Sequence, residues 1–141
     1  PNELRLKLGS IFPLVNNRKI QIMLQSFSFR IASPTGLDMI FDCRFLKNPN
    51  WVKGLKDLNG TDKAVIDYLN KDKSWAPFKK NLLQMISTII PAFEREGKSY
   101  LSIGLGCTGG QHRSVFVAEE LYKHLLTKKH DVKVLHTSLQ K

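Results

Sequence analysis

Four glycines, Gly104, Gly106, Gly109 and Gly110, surround Cys107 and Thr108, and His112, Arg113 and Ser114 follow at once. Glycine lets backbone N–H groups approach a ligand closely and allows backbone angles closed to other residues. A helix that starts after such a turn adds unpaired N–H donors and a partial positive charge. Thr108, His112 and Arg113 add side-chain donors in the same turn. Residue types in this order point to a cradle for phosphate or another anion.

Two nucleotide signatures are excluded. The run GLGCTGG matches G-x-G-x-x-G, but no acidic residue follows about 20 positions later to hold a ribose; Lys128, Lys129 and His130 stand there. The nucleotide P-loop pattern G-x-x-x-x-G-K-[ST] is absent from the chain. A sharper pattern is Cys107-x5-Arg113-Ser114, which resembles the phosphate loop of cysteine-dependent phosphatases. A cysteine at a helix start beside arginine forms a thiolate readily, so covalent catalysis is the alternative to simple binding. Against it, Gly106 replaces the histidine that precedes the cysteine in that family, and no acid loop is evident beyond Asp42.

Asp42 and Arg44 are two residues apart, so an extended strand points both to one face. Beside the apolar run LDMIF, such a pair is costly unless it is used or paired. We read Arg44 as joining Arg113 around an anion, with Asp42 orienting an arginine or accepting from a ligand hydroxyl. His124, His130 and His136 show no metal-ligand spacing and read as surface or structural. Trp51 and Trp75 read as core anchors. Lys128, Lys129 and Lys133 form a C-terminal basic patch, a solvated face by default and an RNA-backbone contact in the sharper reading.

The elements that must position these residues are legible from periodicity. Residues 18–27 alternate, with Ile20, Ile22 and Leu24 on one side, and predict a strand. LDMIFDC at 37–43 predicts a buried strand. Thr61 is the expected N-cap of a helix through Asn70. Ser74 opens a longer helix that Pro91 should kink or end and Gly97 closes. Residues 98–107 predict a strand running into the glycine turn. RSVFVAEELYKHLLTKK predicts a helix, with Val117, Leu121 and Leu125 every four residues, and DVKVLHTSL a final strand. Helices between strands imply an α/β fold: a small, mostly parallel sheet with helices packed on it. Ligands in such folds bind where strand carboxyl ends meet helix starts, which is where Gly106–Ser114 falls.

Composition is that of an ordinary globular domain: 141 residues, 42% apolar and 24% charged. The net charge of +10, split evenly between residues 1–60 and 61–141, favours anionic partners. Two cysteines, Cys43 and Cys107, cannot build a disulfide framework, and a reducing, cytoplasmic setting is expected. No run of about 18 apolar residues suggests a membrane span. The chain does not begin with Met, which suggests that a longer protein was trimmed here.

QSFSF at 25–29, LDMIFDCRFLKNPNW at 37–51, LNGTDKAVIDYL at 58–69 and KSYLSIGLGCTGGQHRSVFVAEEL at 98–121 resemble the C-terminal domain of the RapZ/YvcJ family. These are bacterial RNase adapter and nucleotide-binding proteins, and the similarity runs from about Ile20 to Lys141. The resemblance implies that residues 1–17 are the linker and end of a missing P-loop domain. Residues 18–141 would be the phosphometabolite-binding half, without nucleotide hydrolysis and without a cofactor. It implies a ligand like glucosamine-6-phosphate, self-association into a homo-oligomer, and contact with a small regulatory RNA presented to a ribonuclease. Position by position it points to Thr108, Gly109, Gly110, His112 and Arg113, with Cys107 in the pocket and Asp42 and Arg44 as companions. The sequence departs from that pattern at Ile31, where enterobacterial members have a pocket histidine, and at Gln111, which replaces a lysine. His130 also stands for a lysine, and the basic tail is reduced to Lys141.

Overall fold

The computed structural model describes residues 19–139. The expected linker at 1–17 and the tail residue Lys141 lie outside the described residues. Strand β1 (Gln21–Ser28) follows the alternation in the sequence, and Ile20, Ile22 and Leu24 are buried. After a loop come β2 (Met39–Asp42), a 3-10 turn at Pro49–Trp51, helix α1 (Lys63–Asn70) and helix α2 (Trp75–Arg95). Strand β3 (Tyr100–Cys107), helix α3 (Arg113–Thr127) and strand β4 (Asp131–His136) complete the order.

The four strands make one all-parallel sheet in the order β2-β3-β1-β4. The register sets Ser28 beside Cys107, Asp42 beside Gly106, and Ser26 beside His136. One sheet face carries Ile22, Leu24, Leu101, Ile103, Leu105 and Val132 into a single core with Val65, Leu69, Leu82, Ile86, Ile90, Val117, Leu121 and Leu125 of the helices. Each such side chain contributes roughly 1.5–3 kcal/mol by leaving water. The opposite face is closed only near the strand carboxyl ends. There Phe27, Leu37 and Ile40 crowd Gly104, and Phe27 and Phe29 crowd Gly106. Farther back Tyr100 stays 46% exposed. Among the described residues no helix is long and apolar enough to cross a membrane.

Four expectations change. β2 is a half-buried edge strand, because only Met39 and Phe41 face the helices while Ile40 and Asp42 face outward. Asp62, not Thr61, is the residue before α1; its carboxylate accepts from Asn59 N at 2.8 Å and so braces the preceding turn. Pro91 does not end α2, which runs four residues further with Pro91 on its exposed side. Gly97 does close that helix: its φ is +83°, its N–H donates to Glu94 O, and Lys98 N donates to Phe93 O. That pair of bonds is the Schellman ending. Trp75 is a core anchor, but Trp51 is 82% exposed.

Candidate functional site

The parallel sheet delivers β1, β2 and β3 to the same end, and the glycine turn between β3 and α3 lies there. Ser28 Oγ donates to Thr108 O at 2.6 Å and accepts from Arg30 N at 3.2 Å, which fixes the start of the turn. Gly110 has φ +68°, and a Cβ there would run into Ser138 Oγ and lie 2.9 Å from the Phe27 carbonyl carbon. Gly109 is the open position: nothing lies within 4 Å of where its Cβ would be. His112 precedes α3 without capping it through its side chain. Among the described residues nothing accepts from the backbone N–H groups of Gly109, Gly110, Gln111, His112 or Arg113. Five consecutive N–H groups thus lack a protein acceptor where a helix begins; Gly109 is exposed, Gln111 half-buried, and Gly110, His112 and Arg113 are buried.

The side chains of the turn face mainly the other way, onto the segment 44–58. Arg113 is 5% exposed, and its Nη1 donates to Arg44 O at 2.9 Å and Leu46 O at 3.1 Å. Its Nη2 reaches Thr108 Oγ1 at 3.4 Å, the one contact it makes back to the turn. His112 Nε2 lies 3.0 Å from Leu55 O; a carbonyl only accepts, so that nitrogen carries the hydrogen. Gln111 Nε2 donates to Lys56 O and Leu58 O, and Gly60 N donates back to Gln111 O. Three consecutive side chains therefore strap a loop that is some 60 residues away in the chain.

Cys107 is buried behind the turn. Its thiol donates to Ser114 Oγ at 3.2 Å, and Ser114 N donates to its sulfur at 3.4 Å. Cys43, buried just past the end of β2, has its thiol pushed far up by burial. Asp42 and Arg44 form a bidentate ion pair, with Arg44 Nη2 to Asp42 Oδ2 at 2.6 Å and Nε to Oδ1 at 2.9 Å. The Arg44 hydrogen bond, opposed by partial desolvation, holds the Asp42 carboxyl below its usual range. The Arg44 guanidinium lies 4.2 Å over the Phe29 ring. Arg113 reaches Arg44 at its backbone carbonyl, while the Arg44 guanidinium itself is paired with Asp42.

Burial lowers the pKa of His112 from its ordinary 6.5, more than its carbonyl partners raise it. The unfolded chain then takes up this proton at higher pH than the folded one, so stability is full above about pH 6.5 and falls as the pH drops through that value. His124, also lowered by burial, acts in the same sense. The unfolding free energy measured in urea is expected to be lower at pH 5.5 than at 7.5, by at most about 1.4 kcal/mol per pH unit for each histidine. His112→Gln should flatten that dependence; an unchanged slope in the variant would remove His112 from the account.

Sequence reasoning missed several supports of the turn: Ser28, Gln111 as a strap, Ser138 against Gly110, and a bonded row at the start of the last loop. In that row Glu119 accepts from His136 Nε2 at 2.6 Å, and His136 Nδ1 meets Ser26 Oγ at 2.6 Å. The alternation of β4 was a usable signal for His136, since it shares a face with Val132 and Val134. Lys128, Lys129 and Lys133 are exposed; Lys128 and Lys129 precede β4 at the end of the sheet away from the turn, and Lys133 lies within β4 beside Met23 of β1. Among the described residues no group of three or more His, Cys, Asp or Glu side chains could hold a metal ion.

The family described as the RapZ C-terminal domain matches residues 20–140, which takes in every element above. The chain belongs to the RapZ C-terminal domain family. It is 45% identical over its full length to a nucleotide-binding protein of Cereibacter sphaeroides, of which it covers 47%. It is 42% identical to a nucleotide-binding protein of Dinoroseobacter shibae, again over its full length and 47% of the relative. A nucleotide-binding protein of Citrifermentans bemidjiense is 41% identical over 123 residues, which are 87% of this chain and 43% of that protein. The chain thus spans about half the length of these relatives, and the RapZ C-terminal domain is the half it corresponds to.

Proposed function

We propose that this RapZ-type domain is a non-catalytic sensor that binds a phosphorylated amino sugar of the glucosamine-6-phosphate class on the turn Thr108–Arg113. The observation that carries the reading is the run of unpartnered N–H groups from Gly109 to Arg113 at the start of α3, backed by the buried Arg113 charge. Donors fixed before the anion arrives cost no reorganisation when it binds. Thr108, half-buried beside Gly109, adds a hydroxyl to which Arg113 Nη2 donates from behind the turn at 3.4 Å, and Asp42 with Arg44 flanks the same end of the sheet. The domain would serve as an adapter in control of amino-sugar metabolism through RNase-mediated decay of a small RNA. Lys128, Lys129 and Lys133 would add weak, salt-sensitive contact with RNA.

A cysteine phosphatase needs its thiolate exposed to the phosphorus. Cys107 is 2% exposed and its sulfur is engaged by Ser114, which favours binding without turnover.

The test is a thermal titration with glucosamine-6-phosphate, glucose-6-phosphate and inorganic phosphate. At about 100 times the dissociation constant a ligand adds about 2.7 kcal/mol to the stability. The amino-sugar phosphate is expected to raise the midpoint most, and Thr108→Val to weaken it without lowering the midpoint of the free domain. If none of the three ligands shifts the midpoint, the proposal fails.

A further inference from the structure

Cys43 and Cys107 are the two cysteines of the chain, and both are buried in the core. They lie on neighbouring strands. β2 pairs with β3 through Asp42 and Gly106, and Cys43 N donates to Gly106 O at 2.8 Å, so the pairing runs on into the next residue. One more step in this register sets Cys43 opposite Cys107. Alternation sends both side chains to the helix-covered face, where Phe41 and Leu105 also pack, while Asp42 faces outward. Paired strands lie about 4.8 Å apart, which sets the Cα separation of the two cysteines. A disulfide accepts Cα separations of about 4.4–6.8 Å. The nearness of Cys107 also adds to the rise that burial imposes on the Cys43 thiol.

The two partners differ in freedom. Cys107 ends β3, an interior strand, and its carbonyl accepts from Phe29 N at 2.9 Å. Its sulfur is held at the start of α3 by Ser114 N at 3.4 Å and Ser114 Oγ at 3.2 Å. Once the thiol has lost its proton, both of these groups can donate to the sulfur. Cys43 lies just past the edge strand β2, and its sulfur comes no closer than 3.8 Å to its one acceptor, Phe41 O. A turn follows, in which Leu46 N donates to Cys43 O at 3.3 Å. The two Cβ atoms must close to about 3.8 Å for a bridge, and Cys43 is the side that yields. A bridge made at that cost is readily reduced again, unlike one that staples a secreted domain.

We propose that Cys43 and Cys107 form a reversible intramolecular disulfide, a thiol switch behind the glycine turn, with a hydroperoxide as the oxidant. The Cys107 thiolate attacks one peroxide oxygen and the O–O bond breaks. Cys107 becomes a sulfenic acid, and the departing oxygen takes up the proton that Cys107 released. The Cys43 sulfur then attacks the Cys107 sulfur. The S–S bond forms, the S–O bond breaks, and the hydroxide leaves with the Cys43 proton as water. Two thiols lose two electrons and the peroxide gains them; an external dithiol reverses the step by exchange. Hydrogen peroxide is small enough to reach a sulfur that a phosphorylated sugar cannot approach. Cys43 precedes Arg44, whose carbonyl accepts from Arg113, and Cys107 precedes Thr108, so the bridge acts on the turn from behind. The proposal stands on the two cysteines and is independent of the phosphosugar reading.

The test is exposure of the whole, folded chain to dilute hydrogen peroxide without reductant, read by intact mass and by mapping of unreduced peptides. A loss of about 2 Da, a peptide that joins Cys43 to Cys107, and full reversal by dithiothreitol are expected. Cys43→Val should abolish the mass loss and leave Cys107 as a sulfenic acid that dimedone captures. Cys107→Ala should leave Cys43 unmodified, since burial holds its thiol protonated. Amide exchange from Thr108 to Arg113 should change on oxidation of the wild type and not of Cys43→Val. Two intact thiols in the treated wild type overturn the proposal, and that measurement needs no variant to fold. So does a disulfide between two chains, or Cys107 carried to sulfinic acid with Cys43 untouched. A bridge that leaves amide exchange in the turn unchanged overturns its role as a switch. Thr108→Val is expected to oxidise as the wild type does, so failure of the phosphosugar titration and failure here are separate results.

Discussion

Arg113→Ala is expected to lower the unfolding free energy by about 2–4 kcal/mol, the largest loss of any polar substitution at the glycine-turn end. The guanidinium donates to two backbone carbonyls, Arg44 O and Leu46 O, and reaches Thr108 Oγ1. Hydrogen bonds from charged groups are worth roughly 1.5–3 kcal/mol each, and a buried carbonyl left without a donor costs roughly 1–3 kcal/mol. Against this, alanine relieves the desolvation of a cation that is 5% exposed and has no carboxylate bonded to it. Two lost bonds and two orphaned carbonyls outweigh that relief, because the segment 44–58 cannot turn its carbonyls to water while His112 and Gln111 still hold it. For a chain of this size the change is a drop of about 6–12 °C in melting temperature. Arg113→Lys should recover only part of it, since an ammonium cannot serve both carbonyls and Thr108 in the fork geometry of arginine. A melting temperature within about 2 °C of wild type in Arg113→Ala would show that the strap is not holding the segment. Loss of anion binding in this variant would be ambiguous, which is why Thr108 is the residue to vary for the ligand.

How far the sequence could be read follows from what each pattern encodes. The alternation at Ile20, Ile22 and Leu24 and the fourfold spacing of Val117, Leu121 and Leu125 report burial on one side, and the structure buries all six. The turn Gly106–Ser114 was placed correctly at a strand end before a helix, because glycine clusters and strand patterns are local signals. The parallel sheet also followed from the alternation of helices and strands. What was not legible is what each donor meets. Arg113, His112 and Gln111 read as ligand donors or loop residues because their acceptors, the carbonyls of 44–58, have no residue-type signature. Trp51 read as core for a similar reason: tryptophan is usually buried, and nothing within the run KNPNW says that Pro49 takes the inward place and leaves the ring outside. β2 read as a buried strand because LDMIFDC is almost all apolar. Its edge position depends on pairing order, and there Ile40 faces outward over Gly104.

Gly110→Ala is expected to be the most damaging single-methyl change in the turn, and Gly109→Ala among the mildest. Both residues lie in the same glycine pair, so the contrast isolates geometry from composition. At Gly110 the backbone has φ +68°, where a Cβ costs roughly 1–2 kcal/mol by itself. The added methyl would also meet Ser138 Oγ, stand 2.8 Å from Ser138 Cβ and 2.9 Å from the Phe27 carbonyl carbon. The serine hydroxyl can rotate away, but the Phe27 backbone belongs to central strand β1 and cannot. The turn or the last loop has to move instead, and overpacking of this kind adds roughly 1–3 kcal/mol. The total expected loss is about 2–5 kcal/mol in urea unfolding. Gly109 has an ordinary φ and open space around its Cβ position, so alanine there should change stability by about 0.5 kcal/mol or less. Ser138→Gly in the Gly110→Ala background should return the part of the loss due to Ser138 and leave the part due to φ and Phe27. Because the displaced turn carries the five free N–H groups, Gly110→Ala is also expected to abolish any response to phosphorylated ligands at temperatures where the domain remains folded. Equal stability of Gly109→Ala and Gly110→Ala would contradict the packing of the last loop against the turn, and with it the geometry that holds the donors in one place.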